Sequence, residues 1–140
     1  MSKKLTKEEV TLFPQFVYNA IMTPDGTILH SKHRHDYILY EDANGEKYML
    51  DGGNDYRRTH INEQEATDIS VTYSDSIDKI REHLVWGTYG IEGSLELKEV
   101  LLKDMSDNHI KAIINDGYKL NPVMKLELLY RAENDIIILD

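Results

Sequence analysis

Apolar and polar positions follow two different rhythms along this chain. Between Phe16 and Leu50 the apolar residues come in short runs punctuated by turn-forming residues. Pro24-Asp25-Gly26 stands between Phe16–Met22 and Thr27–His30, and a turn there predicts a β-hairpin. Asn44-Gly45 stands between Tyr37-Ile38-Leu39-Tyr40 and Lys47-Tyr48-Met49-Leu50, two runs rich in β-forming residues. Asn-Gly supplies the positive φ angles that a tight hairpin needs. Asp51-Gly52-Gly53-Asn54 then ends the second run, so the pattern predicts an antiparallel meander, with Thr67–Tyr73 as a further strand.

Beyond residue 73 the spacing turns helical. Ser74 or Asp75 is placed to cap a helix whose Ile77, Ile80 and Leu84 form one apolar stripe. Val85-Trp86-Gly87-Thr88-Tyr89-Gly90 breaks it, and Leu95–Leu102 reads as a strand bending into the core. Ser106 caps a short helix with Ile110, Ile113 and Ile114 facing inward and Gly117 just past its end. Asn121-Pro122 is a helix start, a side-chain cap followed by proline at the first helical position. The helix it opens, about 122–133, presents Val123, Leu126, Leu129 and Tyr130, and Ile136–Leu139 adds an edge strand. The sum is an α+β fold: an N-terminal antiparallel meander of ribbon-like hairpins (about 13–73) packed with three short C-terminal helices (about 74–140).

Composition narrows the setting. At 140 residues, with 41% hydrophobic and 29% charged positions, the length suits one domain with its own core. No apolar run exceeds four residues (Ile136 to Leu139), which argues against a membrane span. Thr6-Lys7-Glu8-Glu9 stands where a signal peptide needs an apolar stretch, so the expected location is cytoplasmic. The absence of cysteine excludes disulfides, thiol catalysis and cysteine-based zinc sites. A net charge of −9 argues against nucleic acid as a partner. That charge is unevenly placed: residues 1–60 carry eight Lys/Arg against nine Asp/Glu, and residues 61–140 carry eight against sixteen. An anionic ligand is therefore expected on the first half and a basic partner on the second.

One stretch has the residue types of a reactive site: His30-Ser31-Lys32-His33-Arg34-His35-Asp36-Tyr37, followed by Asp51-Gly52-Gly53-Asn54-Asp55-Tyr56-Arg57-Arg58. On a strand His33 and His35 share a face. With Asp36 and with Asp51 or Asp55 from across the hairpin, they are a candidate set for a divalent metal that activates water. The plainer reading makes them hydrogen-bonded residues of the fold. Lys32 and Arg34, on the other face, and Arg57 and Arg58 suit a small anion, because guanidinium forks match carboxylate and phosphate. Arg57-Arg58 more simply forms a solvated face with an internal ion pair. No glycine-rich phosphate fingerprint, nucleophile elbow or His-Glu-x-x-His helix is present. Trp86 and Tyr89, flanked by glycines, are a second candidate, for stacking a ring. The competing reading is that Trp86 anchors a small core.

The string Ser31–Tyr37, the string Asp51–Arg58 and the later runs Trp86–Gly90 and Lys103–Ile110 together resemble small, uncharacterised proteins of tailed bacteriophages of the T4-like group. The first block is also similar to shorter phage zinc-ribbon proteins, in which Cys-x-x-Cys-Gly precedes the Ser-Lys-His-Arg-His-Asp string. Here the first cysteine pair falls near Met22 and Asp25, ahead of Gly26, and the Asn44-Gly45 hairpin replaces the second pair. The resemblance implies a ribbon-like hairpin pair that has exchanged its metal for strand packing. It also implies that His33, His35, Asp36 and Asp51 serve as a turn-locking or ligand-facing network and not as a metal site.

These readings favour a non-enzymatic binding protein over an enzyme. A phage origin would place it in the host cytoplasm, engaging a host protein or a defence component, with no cofactor. The expected binding residues are His33, Arg34, His35, Asp36, Asp51, Asp55, Arg57, Arg58, Trp86 and Tyr89. The alternatives are a metal-dependent hydrolase or phosphoesterase on His33, His35, Asp36 and Asp51, and a nucleotide- or anion-binding module on Lys32, Arg34, Arg57 and Arg58. A homodimer stays open, although no heptad pattern argues for one.

Overall fold

A computed structural model of the chain describes residues 3–59, 66–88 and 98–140. The fold is α+β, as the sequence pattern predicts, with three small antiparallel sheets, most of their strands early in the chain, and the longer helices late. The chain falls into two compact units, Pro14–Tyr73 and Met1–Phe13 with Ser74–Asp140. Among the described residues no helix is long and apolar enough to cross a membrane.

In the Pro14–Tyr73 unit, β1 (Asn19–Met22) pairs with β2 (Ile28–Ser31). The turn at Pro24-Asp25-Gly26 joins them, closed by Thr23 N–H to Thr27 C=O at 2.9 Å. Likewise β3 (Ile38–Glu41) pairs with β4 (Lys47–Asp51) across Asn44-Gly45, where Gly45 takes φ 82°. Both hairpins fall where the turn residues predict them. They are not one meander, however. β5 (Arg58–Thr59) extends the second sheet as β3-β4-β5, whereas β6 (Thr67–Asp68) joins the first as β2-β1-β6. The expected strand over 67–73 is only this two-residue piece and an isolated Tyr18–Val71 bridge; between them the Asp68 carboxylate accepts the Ser70 N–H and the Ser70 hydroxyl, not a strand carbonyl, accepts the Ala20 N–H. Ile21, Leu29, Tyr48 and Leu50 form the unit's core, with Ile38 and Tyr40 packed against it.

In the second unit, α1 (Lys7–Val10) is a single helical turn closed by a capping box between Thr6 and Glu9, which the hydrophobic pattern does not place. α2 (Ile77–His83) buries Ile77 and Ile80, and Leu84 follows at its end. Its N-cap position is Ser76, not Ser74 or Asp75. β7 (Val85–Thr88) and β8 (Lys98–Leu101) form a two-stranded ribbon, and residues 95–97 of the expected strand lie outside the described residues. A 3-10 turn (Leu102–Asp104) leads to α3 (Asp107–Asp116). Ser106 caps α3 through the His109 N–H at 3.1 Å, and Gly117 ends it in the left-handed conformation.

The last helix corrects the sequence reading most. α4 (Asn121–Glu133) has Leu120 at its N-cap position, and the Asn121 amide instead donates to the Ile114 carbonyl at 3.0 Å. Its buried row is Val123, Met124, Glu127 and Arg131, whereas Leu129, expected inside, is 44% exposed. Glu127 is fully buried. It accepts from Arg81 at 2.9 and 3.1 Å and from Arg131 at 2.6 Å. Arg131 also donates to Asp107 at 2.7 Å and to the Leu102 carbonyl at 3.0 Å. Arg81 lies 4.4 Å from the centre of the Tyr130 ring. A charged cluster thus ties α2, α4 and the start of α3 together inside an otherwise apolar core. Ile136–Leu139 forms no strand; the Ile138 carbonyl accepts the Asp107 N–H at 2.9 Å instead.

Candidate functional site

The two distinctive strings of the first half meet in space. Ser31, the last residue of β2, is 1% exposed, and its hydroxyl donates to the Asp36 carbonyl at 2.7 Å. The same oxygen accepts the Gly53 N–H at 2.8 Å, so one buried hydroxyl joins the loop after β2 to the loop after β4. The loop after β2 is a turn, not a strand. Asp36 N–H donates to the His33 carbonyl at 2.9 Å, and the Asp36 carboxylate accepts the Lys32 N–H at 2.8 Å. His33, Arg34 and His35 therefore sit exposed at a turn, and the expected sharing of one strand face by the two histidines does not occur.

The glycines make this junction sterically specific. A Cβ on Gly53 would lie 2.2 Å from the His33 carbonyl carbon, and one on Gly52 would lie 1.9 Å from the Tyr56 carbonyl oxygen. Both residues have positive φ, 55° and 117°, so side chains are excluded by space and by conformation. Asn19, fully buried on β1, supports the loop from below. Its amide nitrogen donates to the Gly53 and Tyr56 carbonyls at 2.9 and 3.0 Å. A buried asparagine inside the apolar run Phe16–Met22 is the sequence signal for this role, since a polar group there requires partners.

Arg57 is committed in the same way. Nε donates to the Asn19 side-chain oxygen at 3.0 Å and Nη2 to the Ala20 carbonyl at 3.2 Å and to the Ser70 hydroxyl. Nη1 pairs with Asp68 at 2.9 Å, and the guanidinium lies 5.1 Å from the Phe16 ring centre. Every guanidinium nitrogen has a partner within the fold. Burial alone would raise Asp68, but hydrogen bonds from Ser70 and Arg57 outweigh it and hold the carboxyl below its usual range. Asp51, 5% exposed, accepts from Arg58 at 3.0 Å and from the Tyr56 hydroxyl at 3.4 Å. Arg34 and Asp55 approach to 3.8 Å with both side chains largely exposed, a contact of little energetic weight.

The remaining candidates lie in the other unit. Trp86, on β7, is half-buried and packs edge to face against His109 of α3 at 6.1 Å and Tyr118 at 5.6 Å, both at 87°. Tyr89 lies outside the described residues. The structure thus brings His33, Arg34, Asp36 and Asp55 together with Ser31, Asn19 and Gly53, and seats Asp51, Arg57 and Arg58 around the same loop. Trp86 stands apart from them in sequence and in unit. Among the described residues no group of three or more histidine, aspartate or glutamate side chains is placed to hold a metal ion. No family model matches the chain, and neither the curated proteins nor the solved structures compared with it give a match.

Proposed function

We propose that this chain is a non-enzymatic binding protein that uses the locked loop pair of the Pro14–Tyr73 unit to present His33, Arg34 and His35 to a partner. One observation carries the reading. Three groups that a metal or anion site would draw on are committed to the fold: Asp36 to the Lys32 N–H, Asp51 to Arg58, and Arg57 to Asn19, Ala20, Ser70 and Asp68. The three tip side chains remain exposed on a turn that is rigidly closed from beneath. A preorganised turn of this kind loses little conformational entropy on binding, which favours recognition. Tyr37 and Leu39, 49% and 66% exposed, continue the surface with apolar area.

In its finer form the proposal is that of the phage resemblance: a phage-encoded protein acting in the host cytoplasm on a host protein or a defence component. That form rests on the resemblance carried by the strings Ser31–Tyr37, Asp51–Arg58, Trp86–Gly90 and Lys103–Ile110. The test is a quantitative pull-down from bacterial lysate with the intact chain and with His33→Ala, Arg34→Ala and His35→Ala combined. The proposal expects a saturable protein partner retained by the intact chain and lost by the variant, with both equally folded by circular dichroism. Equal retention by both, or none by either, overturns it.

A further inference from the structure

The second unit carries an edge of a different kind at residues 135–140. Asn134 and Asp135 end α4 in a Schellman arrangement: Asp135 takes φ 55°, and the Ile136 N–H returns to the Arg131 carbonyl at 2.9 Å. The chain then runs across the start of α3. The Ile138 carbonyl accepts the Asp107 N–H at 2.9 Å, the Ile138 N–H faces the Asp107 carboxylate at 3.4 Å, and Asn108 donates to the Asp140 carboxylate at 3.2 Å. Exposure alternates along this stretch. Ile136 and Ile138 are half-buried, and Ile137 and Leu139 are 75% and 83% exposed. That is the period of an extended chain, in which successive residues also direct their N–H and C=O groups to opposite sides. The Ile136 N–H and both backbone groups of Ile138 are used toward the unit. Among the described residues, the backbone groups of Ile137 and Leu139 have no partner.

We propose that Ile136–Leu139 is a β-augmentation edge that takes an extended apolar segment of another protein flanked by basic residues. Backbone groups free on one side give such an edge its affinity, and alternate side chains give it selectivity. The three isoleucines have high β propensity yet form no ladder within the unit, which leaves a local preference that pairing with another chain would satisfy. Charge selects the partner. Asp135 and Asp140 bracket the four residues, and the unit that holds them carries fifteen Asp/Glu against eleven Lys/Arg. Of the nearby cations, Arg131 is engaged with Glu127 and Asp107, and Lys3 with Glu133 at 3.2 Å. A second copy fits poorly, because it would bring another Asp135 and Asp140 against this edge, and like charges brought close across a sheet destabilise it. This edge is independent of the loop tip in the other unit.

The test uses the full chain and two fluorescent seven-residue peptides of alternating valine and threonine, one ended by lysines and one by glutamates. Binding is read by anisotropy, and the amide resonances of Ile137 and Leu139 by NMR. The lysine-ended peptide is expected to bind about tenfold more tightly than the glutamate-ended one, shifting those two amides most. Ile137→Pro removes one outward N–H and should abolish binding while leaving the melting temperature nearly unchanged. Asp140→Lys, which removes no backbone N–H or C=O of Ile137 or Leu139, should narrow the preference between peptides. No binding of either peptide, or binding equal for both and indifferent to both substitutions, overturns the proposal. A concentration-dependent dimer lost on Ile137→Pro assigns the edge to a second copy and also overturns it.

Discussion

Glu127 concentrates the energetics of its unit in one side chain. It is fully buried between two guanidinium groups that are themselves 8% and 2% exposed. Such a cluster contributes little net stability when intact, since desolvation offsets attraction, but removing one member leaves buried charge unpaired. Glu127→Ala is therefore expected to destabilise the unit by about 3–5 kcal/mol, read as the shift of its urea midpoint. Arg81 responds to the same environment. Burial alone would lower its pKa, yet the hydrogen bonds and charge of Glu127 outweigh that and raise it. None of this is visible in a search for apolar periodicity. Val123, Glu127 and Arg131 lie at i, i+4 and i+8, one face of the helix, but two of the three are charged. The pattern therefore assigns the inner face to Val123, Leu126, Leu129 and Tyr130, of which Val123 is buried and Leu129 exposed. The buried Asn19 and the half-buried Arg57 of the other unit escape for the same reason: side-chain type predicts exposure, and only partners found through the fold reverse it.

At the scale of elements, turn chemistry is what the sequence states most clearly. Pro24-Asp25-Gly26 and Asn44-Gly45 locate both hairpins because their backbone requirements are local. Asp25 does more than turn the chain. The Thr23 hydroxyl, the Tyr40 hydroxyl at 2.5 Å and the Thr27 N–H at 3.0 Å all donate to its carboxylate and hold its pKa well below the usual carboxylate range. With the folded value depressed, the unfolded chain binds the proton first as pH falls. This contribution is complete above the unfolded value of about 3.9 and is lost as pH drops through the folded value. Thermal melts in acid should therefore show the wild type losing stability from about pH 5 downward, and Asp25→Asn a shallower loss. The loop after β2 was less legible. Period-two reasoning sets His33 and His35 on a strand face, but Ser31 and Asp36 close a turn through contacts with Gly53, 22 residues from Ser31. Gly53→Ala tests that junction. Its Cβ cannot fit against the His33 backbone, so the variant should lose more than about 2 kcal/mol and shift the NMR signals of His33–Asp36; an unchanged spectrum would contradict the lock.

For the whole molecule, the two units divide the chain's properties as well as its contacts. The Pro14–Tyr73 unit, with five Lys/Arg against ten Asp/Glu, carries the locked loops and their exposed tip, and the other unit, with eleven against fifteen, carries the buried charge cluster and the Ile136–Leu139 edge. The α+β class was legible because strands and helices occupy different stretches of the pattern. The role of the His-Arg-His-Asp string was not, because the same residue types serve metal coordination, anion capture and turn closure, and only geometry separates them. Here the carboxylates and Arg57 close the fold and the imidazoles face outward. The direct test of that central claim is a native mass spectrum of the protein purified without chelator, beside one of the His33→Ala, His35→Ala variant. The account predicts that both chains carry no transition metal. One metal ion per chain in the wild type, absent from the variant, would contradict it and return those histidines to a metal centre.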